Sequence, residues 1–236
     1  MYNTLIYTPL YNGLVFLMNI LPWVDAGVAV LLFTVIVKLI LSPLSYKSVK
    51  TQVNMKQIEP ELNALKVKFT DKQEQARQVM ALYKAKGINP FSGFFLILIQ
   101  LPIIFALYSI FWQSGLPHIN VDILYSFVGV PAKVNMFFLG LVDISQKSII
   151  ISLCAAITQF FQIRYSMPKP AAPKDGDVPS FKTDFARSMS FQMQYIMPIV
   201  VFFISYSISA AVAIYWSVSN LFMIGQEVYI RRRLKK

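Results

Sequence analysis

The residue with the clearest capacity for chemistry is a lysine inside an apolar run. Lys38 stands in TVIVKLILSPLSYK, residues 34–47, about 13 residues beyond Asp25. A charge at the centre of a membrane-spanning helix costs about 2.5–3.5 kcal/mol on insertion scales. One interpretation is that the lysine stem reaches toward the membrane surface and the cation has no task. The other is that Lys38 faces water inside a helix bundle, where an unpaired cation attracts anionic groups.

Polar and amphipathic side chains in other apolar runs can supply the walls of such a wet space. They are Gln100, Gln159, Gln162, Tyr215, Trp216 and Asn220. Each is inexpensive by itself, because an amide or hydroxyl can bond to a neighbouring helix. Pro43 follows Lys38 by about one turn and removes a helical hydrogen bond, which helps to open a space beside it. Together these residues predict a polar groove with one cation.

Motifs for covalent or metal-assisted catalysis are missing from the sequence. It contains no phosphate-binding glycine loop, no zinc-binding His pair and no G-x-S-x-G nucleophile motif. Cys154 and His118 are the only cysteine and histidine. No acid lies deep in an apolar run, since Asp25 and Glu227 are both near the ends of theirs. We therefore expect a protein that is not an enzyme and that has neither a cofactor nor a metal.

The elements that must position these residues are membrane-spanning helices. A hydrophobic share of 56% is too high for a soluble domain of this size. A bilayer core needs about 20 apolar residues in helical form. The sequence predicts an all-α membrane protein with five spans, at about 25–46, 91–112, 147–165, 193–209 and 210–230. The last two are nearly continuous, so the prediction places a tight turn near Ser207–Ala210, with one very long helix as the alternative.

The distribution of basic residues predicts the orientation of the spans. Nine Lys or Arg lie in 47–90, five in 164–190 and five in the tail RRRLKK, whereas residues 1–23 contain none. With five spans, all three basic regions fall on one side, which the positive-inside rule assigns to the cytoplasm. The N-terminus is then outside and the C-terminus inside. Anionic lipid explains most of the basic residues, and a ribosome is a further anionic partner for the tail.

The whole chain, 1–236, is predicted to be one membrane domain with four accessory segments. Residues 1–23 are predicted to form an external helix lying at the membrane interface, with a short arm packed on the bundle as the alternative. Residues 47–90 are predicted to form a cytoplasmic helical hairpin. Residues 166–190 are rich in proline and predict a flexible cytoplasmic linker, and 231–236 form a basic tail.

Three local signals shape the predicted hairpin. Pro60 should kink or restart its first helix, and Thr70 with Gln73 has the spacing of a capping box for the second. Gly87 is placed to end that second helix. Each helix carries a narrow apolar stripe. The stripes either pack on each other or belong to a mobile basic hairpin over the membrane surface.

Three blocks of the sequence resemble the YidC/Oxa/Alb membrane protein insertases. The blocks are TVIVKLILSPLSYKS, ALYKAKGINPFSGFFLILIQLPIIFALY and MPIVVFFISYSISAAVAIYWSVSNLFMIGQ. The resemblance covers roughly 1–232 and is closest to the short bacterial form with five spans. Two features depart from the family pattern. Lys38 stands where the family usually has an arginine, which keeps the charge but loses the five-donor fork. The usual proline-containing turn before the last span is replaced by SYSISAAVA.

The resemblance implies a function and a location. It implies an insertase and chaperone of the bacterial cell membrane, whose groove is open to the cytoplasm and to lipid. Lys38 would attract the acidic, translocating part of a nascent membrane protein, and the apolar part would leave along the second and fourth spans. The Sec translocon and the signal recognition machinery are further implied partners.

Two functions from other classes stay open at this point. A small-solute transporter or channel would need a continuous path and usually an internal repeat or deep acids, and the sequence contains neither. A scaffold that only assembles other membrane proteins would need no cationic groove.

Overall fold

A computed structural model describes residues 2–69, 71–89, 92–113, 116–166 and 191–234. Its α-helices are α1 (Thr8–Ile20), α2 (Ala26–Gln57), α3 (Glu59–Lys68), α4 (Lys72–Ala85), α5 (Ser92–Tyr108), α6 (Ile149–Ser166), α7 (Met197–Ile208) and α8 (Ala210–Leu234). π-helical segments extend α1, α5 and α7, at Asn3–Tyr7, Ser109–Gln113 and Gln192–Ile196. A 3₁₀ turn covers Val121–Ile123. The short strands β1 (Phe137–Phe138) and β2 (Val142–Asp143) pair antiparallel.

The prediction of an all-α fold is correct for the bundle but overlooked this small β hairpin. Two helices, Ala26–Gln57 and Ile149–Ser166, are long and apolar enough to cross a membrane. Gln100–Phe111 and Gln192–Ile208 are shorter apolar helices. The count of five spans and their orientation therefore stay predictions.

The helix of the first span does not end at Tyr46, where the predicted span ends. Helix α2 continues without interruption through Pro43 to Gln57, so the first arm of the predicted 47–90 hairpin begins as an extension of α2. The helix then restarts at Glu59, with Pro60 in its first turn, where a missing N–H is tolerated. Val49 and Val53 of the extension pack on Ile230 near the end of α8. This packing explains why the helix persists beyond the apolar run.

The N-cap of α4 is Asp71 and not Thr70. The Asp71 carboxylate accepts a hydrogen bond from the Gln73 backbone N–H at 3.1 Å. Thr70 itself lies outside the described residues, as do the linker after Ser166 and Lys235 and Lys236 of the tail. Helices α3 and α4 pack on each other, and the Lys86 ammonium pairs with the Glu61 carboxylate at 2.8 Å.

The break between the last two helices falls where the sequence predicts it. Helix α7 ends at Ile208, Ser209 is extended, and α8 begins at Ala210. The Ala210 and Ala211 backbone N–H groups donate to the carbonyls of Gln146 and Ile144, at 2.8 and 3.0 Å. Two of the free donors at the start of α8 are thus satisfied by the preceding loop.

The beginnings of α2, α6 and α8 lie at one end of the bundle, which we call the loop end. The loop over 116–148 connects them: the Ala26 N–H donates to the Asn135 carbonyl at 2.7 Å, and the Ser152 N–H donates to the Ser148 carbonyl at 3.0 Å. The opposite end, where α3 and α4 lie, is called the hairpin end.

The main apolar core fills the loop end. It combines buried residues of α1, α2, α5, α8 and the loop, among them Tyr11, Val30, Leu107, Ile144 and Ile214. Five residues of α1 belong to this core, so 1–23 packs on the bundle through one face, which was the alternative to a purely interfacial helix. The other face of this segment leaves Leu5, Phe16 and Ile20 exposed.

Gly27 marks the closest approach of the β hairpin to α2, and it provides a test of this packing. A Cβ at position 27 would lie 2.5 Å from Phe138 Cδ2 and 2.7 Å from its Cβ, so the β hairpin itself would have to move. We expect Gly27→Ala to destabilise the protein by about 1–3 kcal/mol, measured as a lower Tm in detergent. Gly225→Ala in α8 is the matched control, because nothing lies within 4 Å of its added Cβ. An unchanged or slightly higher Tm is expected for Gly225→Ala, and equal Tm values for the two variants would contradict the packing.

Candidate functional site

Lys38 and Gln100 meet between α2 and α5. The Lys38 ammonium, half-buried, donates to the Gln100 side-chain oxygen, with 2.7 Å between Nζ and Oε1. The Gln100 amide in turn donates to the Tyr215 hydroxyl of α8. Tyr215 is buried at the edge of the main core. Three helices thus contribute one side chain each to a connected polar group.

The partner of Lys38 is neutral, and this determines its electrostatics. The ion pairs recorded in the described part of the chain are Arg77–Glu74, Lys86–Glu61 and Arg231–Glu227, and none involves Lys38. A glutamine oxygen satisfies one donor of the ammonium but leaves its charge uncompensated. No carboxylate among the described residues therefore pairs with Lys38, and its role as a groove cation stays a prediction.

The stretch of α2 around Lys38 contains no fully buried residue. The buried residues of α2 are Ala26, Gly27, Ala29, Val30 and Thr34 near the loop end, and then Ser48, Val49 and Val53. Between 35 and 47 every residue of α2 is half-buried or exposed. Lys38 thus stands between the buried residues near the loop end and the smaller cluster around Val49. On either side of it Val37 and Leu41 still pack on the main core, whereas Leu39 and Ile40 are exposed.

The remaining predicted residues form a second group, on the seam between α6 and α8. The Trp216 indole N–H donates to Gln159 Oε1 at 3.1 Å, and the Gln159 amide donates to Gln162 Oε1 at 3.3 Å. The Asn220 amide donates to the Thr158 hydroxyl at 3.2 Å. Asn220 is buried in this seam.

The hydrogen bonds therefore divide the seven predicted residues into two groups, and that all seven line or border one groove stays a prediction. Lys38, Gln100 and Tyr215 belong together, and the hydrogen bonds join Gln159, Gln162 and Trp216 to one another instead. Successive helical residues project about 100° apart. Tyr215 consequently faces α5 while its neighbour Trp216 faces α6, and periodicity within α8 alone does not reveal which helix stands on which side.

Gln226 is a polar residue that the sequence analysis did not select. Its amide donates to the carbonyl and the hydroxyl of Ser42 at 3.3 and 3.2 Å, and it accepts from the Ser45 hydroxyl at 3.1 Å. These bonds join α8 to α2 on either side of Pro43, where helical hydrogen bonding is weakened. The signal available in the sequence was the polar pair Gln226–Glu227 near the end of an apolar run.

Glu227 is the second residue that was passed over, because it lies near the end of its run. Its carboxylate is buried and accepts from Arg231 Nε at 2.9 Å and also from the Ser166 hydroxyl. The Ser166 hydroxyl also accepts from the Gln162 amide at 3.3 Å, which connects this cluster to the seam. Arg231 further donates to the Tyr165 carbonyl at 2.8 Å and stacks on the Tyr165 ring. The cluster ties the end of α6 to α8.

No three His, Cys, Asp or Glu side chains among the described residues lie close enough to hold a metal ion. The site built from Lys38, Gln100 and Tyr215 holds one cation and two neutral hydrogen-bonding side chains. It offers a half-buried cation with hydrogen-bonding neighbours to an anionic group.

Gln100→Glu provides a test of the uncompensated charge. The substitution keeps the size of the side chain and places a carboxylate at the 2.7 Å contact with Lys38 Nζ. The resulting ion pair neutralises the site, so binding of an acidic peptide by the detergent-solubilised protein is expected to weaken by about tenfold or more. Gln100→Met, which removes the hydrogen bonds but keeps the charge of Lys38, is expected to bind the peptide more tightly than Gln100→Glu. The opposite order would contradict the electrostatic interpretation.

Comparisons with known proteins agree on one family. The family model described as 60Kd inner membrane protein matches residues 16–236. The membrane protein insertase YidC of Clostridium tetani (strain Massachusetts / E88) is 31% identical over 216 residues, which cover 91% of this chain and 86% of that protein. The protein of the same name from Clostridium acetobutylicum is also 31% identical, over 91% of this chain and 78% of its own length.

Longer relatives also match over the same region. The membrane protein insertase YidC of Rickettsia bellii is 31% identical over 87% of this chain, but the match spans only 35% of that protein. The crystal structure of an active YidC insertase with its first transmembrane domain resolved superposes with a TM-score of 0.59. At 23% identity it covers 93% of this chain and 45% of that chain, and it supports the fold alone. Because the family model spans nearly the whole chain and the clostridial relatives match over most of their length, this chain belongs to the 60Kd inner membrane protein family.

Proposed function

We propose that this chain is a membrane protein insertase, which moves the polar end of a client across the bilayer and releases its apolar segment into lipid. The observation that carries the proposal is Lys38, a cation with a neutral partner in a stretch of α2 that has no fully buried residue. Family membership and the names of the clostridial relatives support the same function. We further propose that the protein acts without a covalent step.

In this mechanism the hairpin end faces the cytoplasm and five spans cross the bacterial cell membrane. An acidic segment of a nascent client enters beside α2 and is attracted by Lys38. The main core fills the loop end, which supports a groove that is open only toward the hairpin end. The membrane potential favours the outward movement of negative charge by about 2.3 kcal/mol per charge for each 100 mV.

Release into lipid supplies the other part of the driving force. Leu, Ile, Phe and Val each contribute about −0.3 to −0.6 kcal/mol at the centre of a span, so ten such residues contribute about −3 to −6 kcal/mol. We propose that the client leaves along α5 and α7, whose outer faces include exposed Leu101, Phe105 and Phe203.

The basic regions are proposed to serve recruitment. Arg232 and Arg233 are exposed at the end of α8 and suit anionic lipid or a ribosome. Arg231 is engaged by Glu227 and Tyr165 and is therefore not part of that recruiting surface. The Sec translocon and the signal recognition machinery remain further proposed partners.

The function can be tested by reconstitution into vesicles with an imposed inside-positive potential, because the lumen then corresponds to the outside of the cell. Single-span clients with short acidic external tails are synthesised beside the vesicles, and protection of the tail from added protease measures insertion. An insertase increases protection over empty vesicles, and a scaffold leaves it unchanged. Release of small solutes from the same vesicles without increased client protection would support a channel instead.

A further inference from the structure

The tip of the β hairpin presents leucines to the outside of the protein. Between β1 and β2, Leu139 is 64% exposed and Leu141 is 81% exposed, and Phe137 on the first strand is also exposed. No charged side chain lies between Asn135 and Val142. Exposed single apolar residues are common on protein surfaces, but a contiguous group indicates a contact surface.

The backbone of the tip adds to this argument. Leu139 has a φ of 51° and Gly140 a φ of 72°, so both adopt the left-handed conformation. Glycine tolerates this conformation, and Asn and Asp adopt it more readily than leucine, whose Cβ is crowded there. The Leu139 N–H donates to Asp25 Oδ2 at 3.0 Å, which holds the residue in place. If the tip faced water, Asn would be a better residue than leucine at position 139, because its side chain is better solvated and it adopts the left-handed conformation at a lower cost.

The height of the tip along the bundle is set by the starts of two helices. The Asn135 carbonyl just before β1 accepts from Ala26, the first residue of α2. The Ile144 carbonyl just after β2 accepts from Ala211, the second residue of α8. The hairpin is therefore fixed at the level where these helices begin, which is the level of a membrane interface for helices that span a bilayer.

The surface next to the hairpin is also apolar. The chain leaves β2 at Asp143 and enters α6 at Ile149, where Ile149, Ile150 and Leu153 are exposed. Lys133, exposed on the approach to β1, is suited to a lipid headgroup. From these observations we propose that the hairpin tip, Phe137–Leu141, inserts into the headgroup layer of the leaflet at the loop end. It would thereby anchor the starts of α2 and α8 at a fixed depth.

The proposal depends on the bundle crossing a bilayer and not on insertase activity. It is tested with Leu141→Cys in a Cys154→Ser background, because the native cysteine is exposed. The cysteine is labelled with the fluorophore NBD, and the whole chain is reconstituted into phosphatidylcholine–phosphatidylglycerol vesicles. Iodide outside and inside the vesicles then reports access to water, and brominated lipid reports access to the bilayer.

Two further positions make the result specific to the tip. Asp122→Cys, exposed and polar in the same loop, serves as the water reference, and Ile157→Cys, halfway along α6, serves as the lipid reference. We expect the label at 141 to lose quenching by iodide relative to 122 and to be quenched by brominated lipid as at 157, with a blue-shifted emission. Quenching by iodide at 141 equal to that at 122, with none by brominated lipid, would overturn the proposal. That result would leave a surface that faces water and fits a protein partner, whether or not the chain inserts clients.

Discussion

Replacing Lys38 by alanine is expected to reduce insertion of clients with acidic external tails by about tenfold or more. No carboxylate among the described residues pairs with Lys38, and its contact with Gln100 Oε1 at 2.7 Å does not neutralise it. Two opposite charges 4 Å apart attract by about 1–4 kcal/mol for effective dielectric constants of 80 to 20. Each 1.36 kcal/mol corresponds to a tenfold change in rate. The measurement is the initial rate at which the client tail becomes protected in reconstituted vesicles.

Lys38→Arg and the choice of client separate charge from packing. Arginine keeps the positive charge and adds donors, so Lys38→Arg is expected to insert the acidic client at close to the rate of the unchanged protein. A client with an uncharged tail should lose much less activity in Lys38→Ala, because its tail makes no charge interaction. If Lys38→Ala inserted both the acidic and the uncharged client at the rate of the unchanged protein, the charge of Lys38 would have no role in insertion. Lys38 would then be a lysine whose side chain only extends to the membrane surface.

Replacing Arg231 by alanine is expected to destabilise the protein by about 3 kcal/mol. Glu227 is 2% exposed, and its carboxylate would be left buried with the Ser166 hydroxyl as its remaining recorded partner. Breaking a buried ion pair from one side costs about 3–5 kcal/mol, and we expect the lower end because the Arg231 side chain is 27% exposed. The Tm in detergent should fall by roughly 6 °C or more, by the relation that holds for chains of this length.

The neighbouring Arg232 gives a matched control for this effect. Arg232→Ala removes the same charge from an exposed position of the same helix turn and should leave the Tm within about 1 °C. The double variant Glu227→Met with Arg231→Leu removes both charges and should recover most of the lost stability, since no unpaired carboxylate remains buried. A Tm for Arg231→Ala equal to that of Arg232→Ala would show that the ion pair between Arg231 and Glu227 contributes nothing to stability.

Features that depend on the type of a single residue could be predicted from the sequence. The expense of a charge in an apolar run identified Lys38, and the separation of apolar runs located α5, α6 and the break at Ser209 to within a few residues. Pro60 marked the restart of a helix because proline lacks the N–H that a helix interior needs. In each case the residue type itself carries a local free-energy cost.

Elements that are stabilised by residues far away in the sequence could not be predicted in this way. The extension of α2 beyond Tyr46 persists because Val49 and Val53 pack on Ile230, about 180 residues further along the chain. The β hairpin packs on the start of α2, where Asp25 accepts a hydrogen bond from the Leu139 N–H and Gly27 leaves room for Phe138. Neither partner can be identified from the pattern of the segment itself.

The amino-acid sequence was sufficient to identify a helical membrane protein with a cation at Lys38 and a set of polar side chains in its apolar runs. Hydropathy and charge are properties of each residue, and no partner is needed to recognise them. The three-dimensional arrangement was needed to establish which polar residues meet, because Lys38, Gln100 and Tyr215 come from three helices and Gln159, Gln162 and Trp216 line a different seam. It also showed that Glu227, near the end of its run, is buried and paired. Which faces of neighbouring helices are in contact depends on how the helices rotate and pack together, and a one-dimensional period does not contain that information.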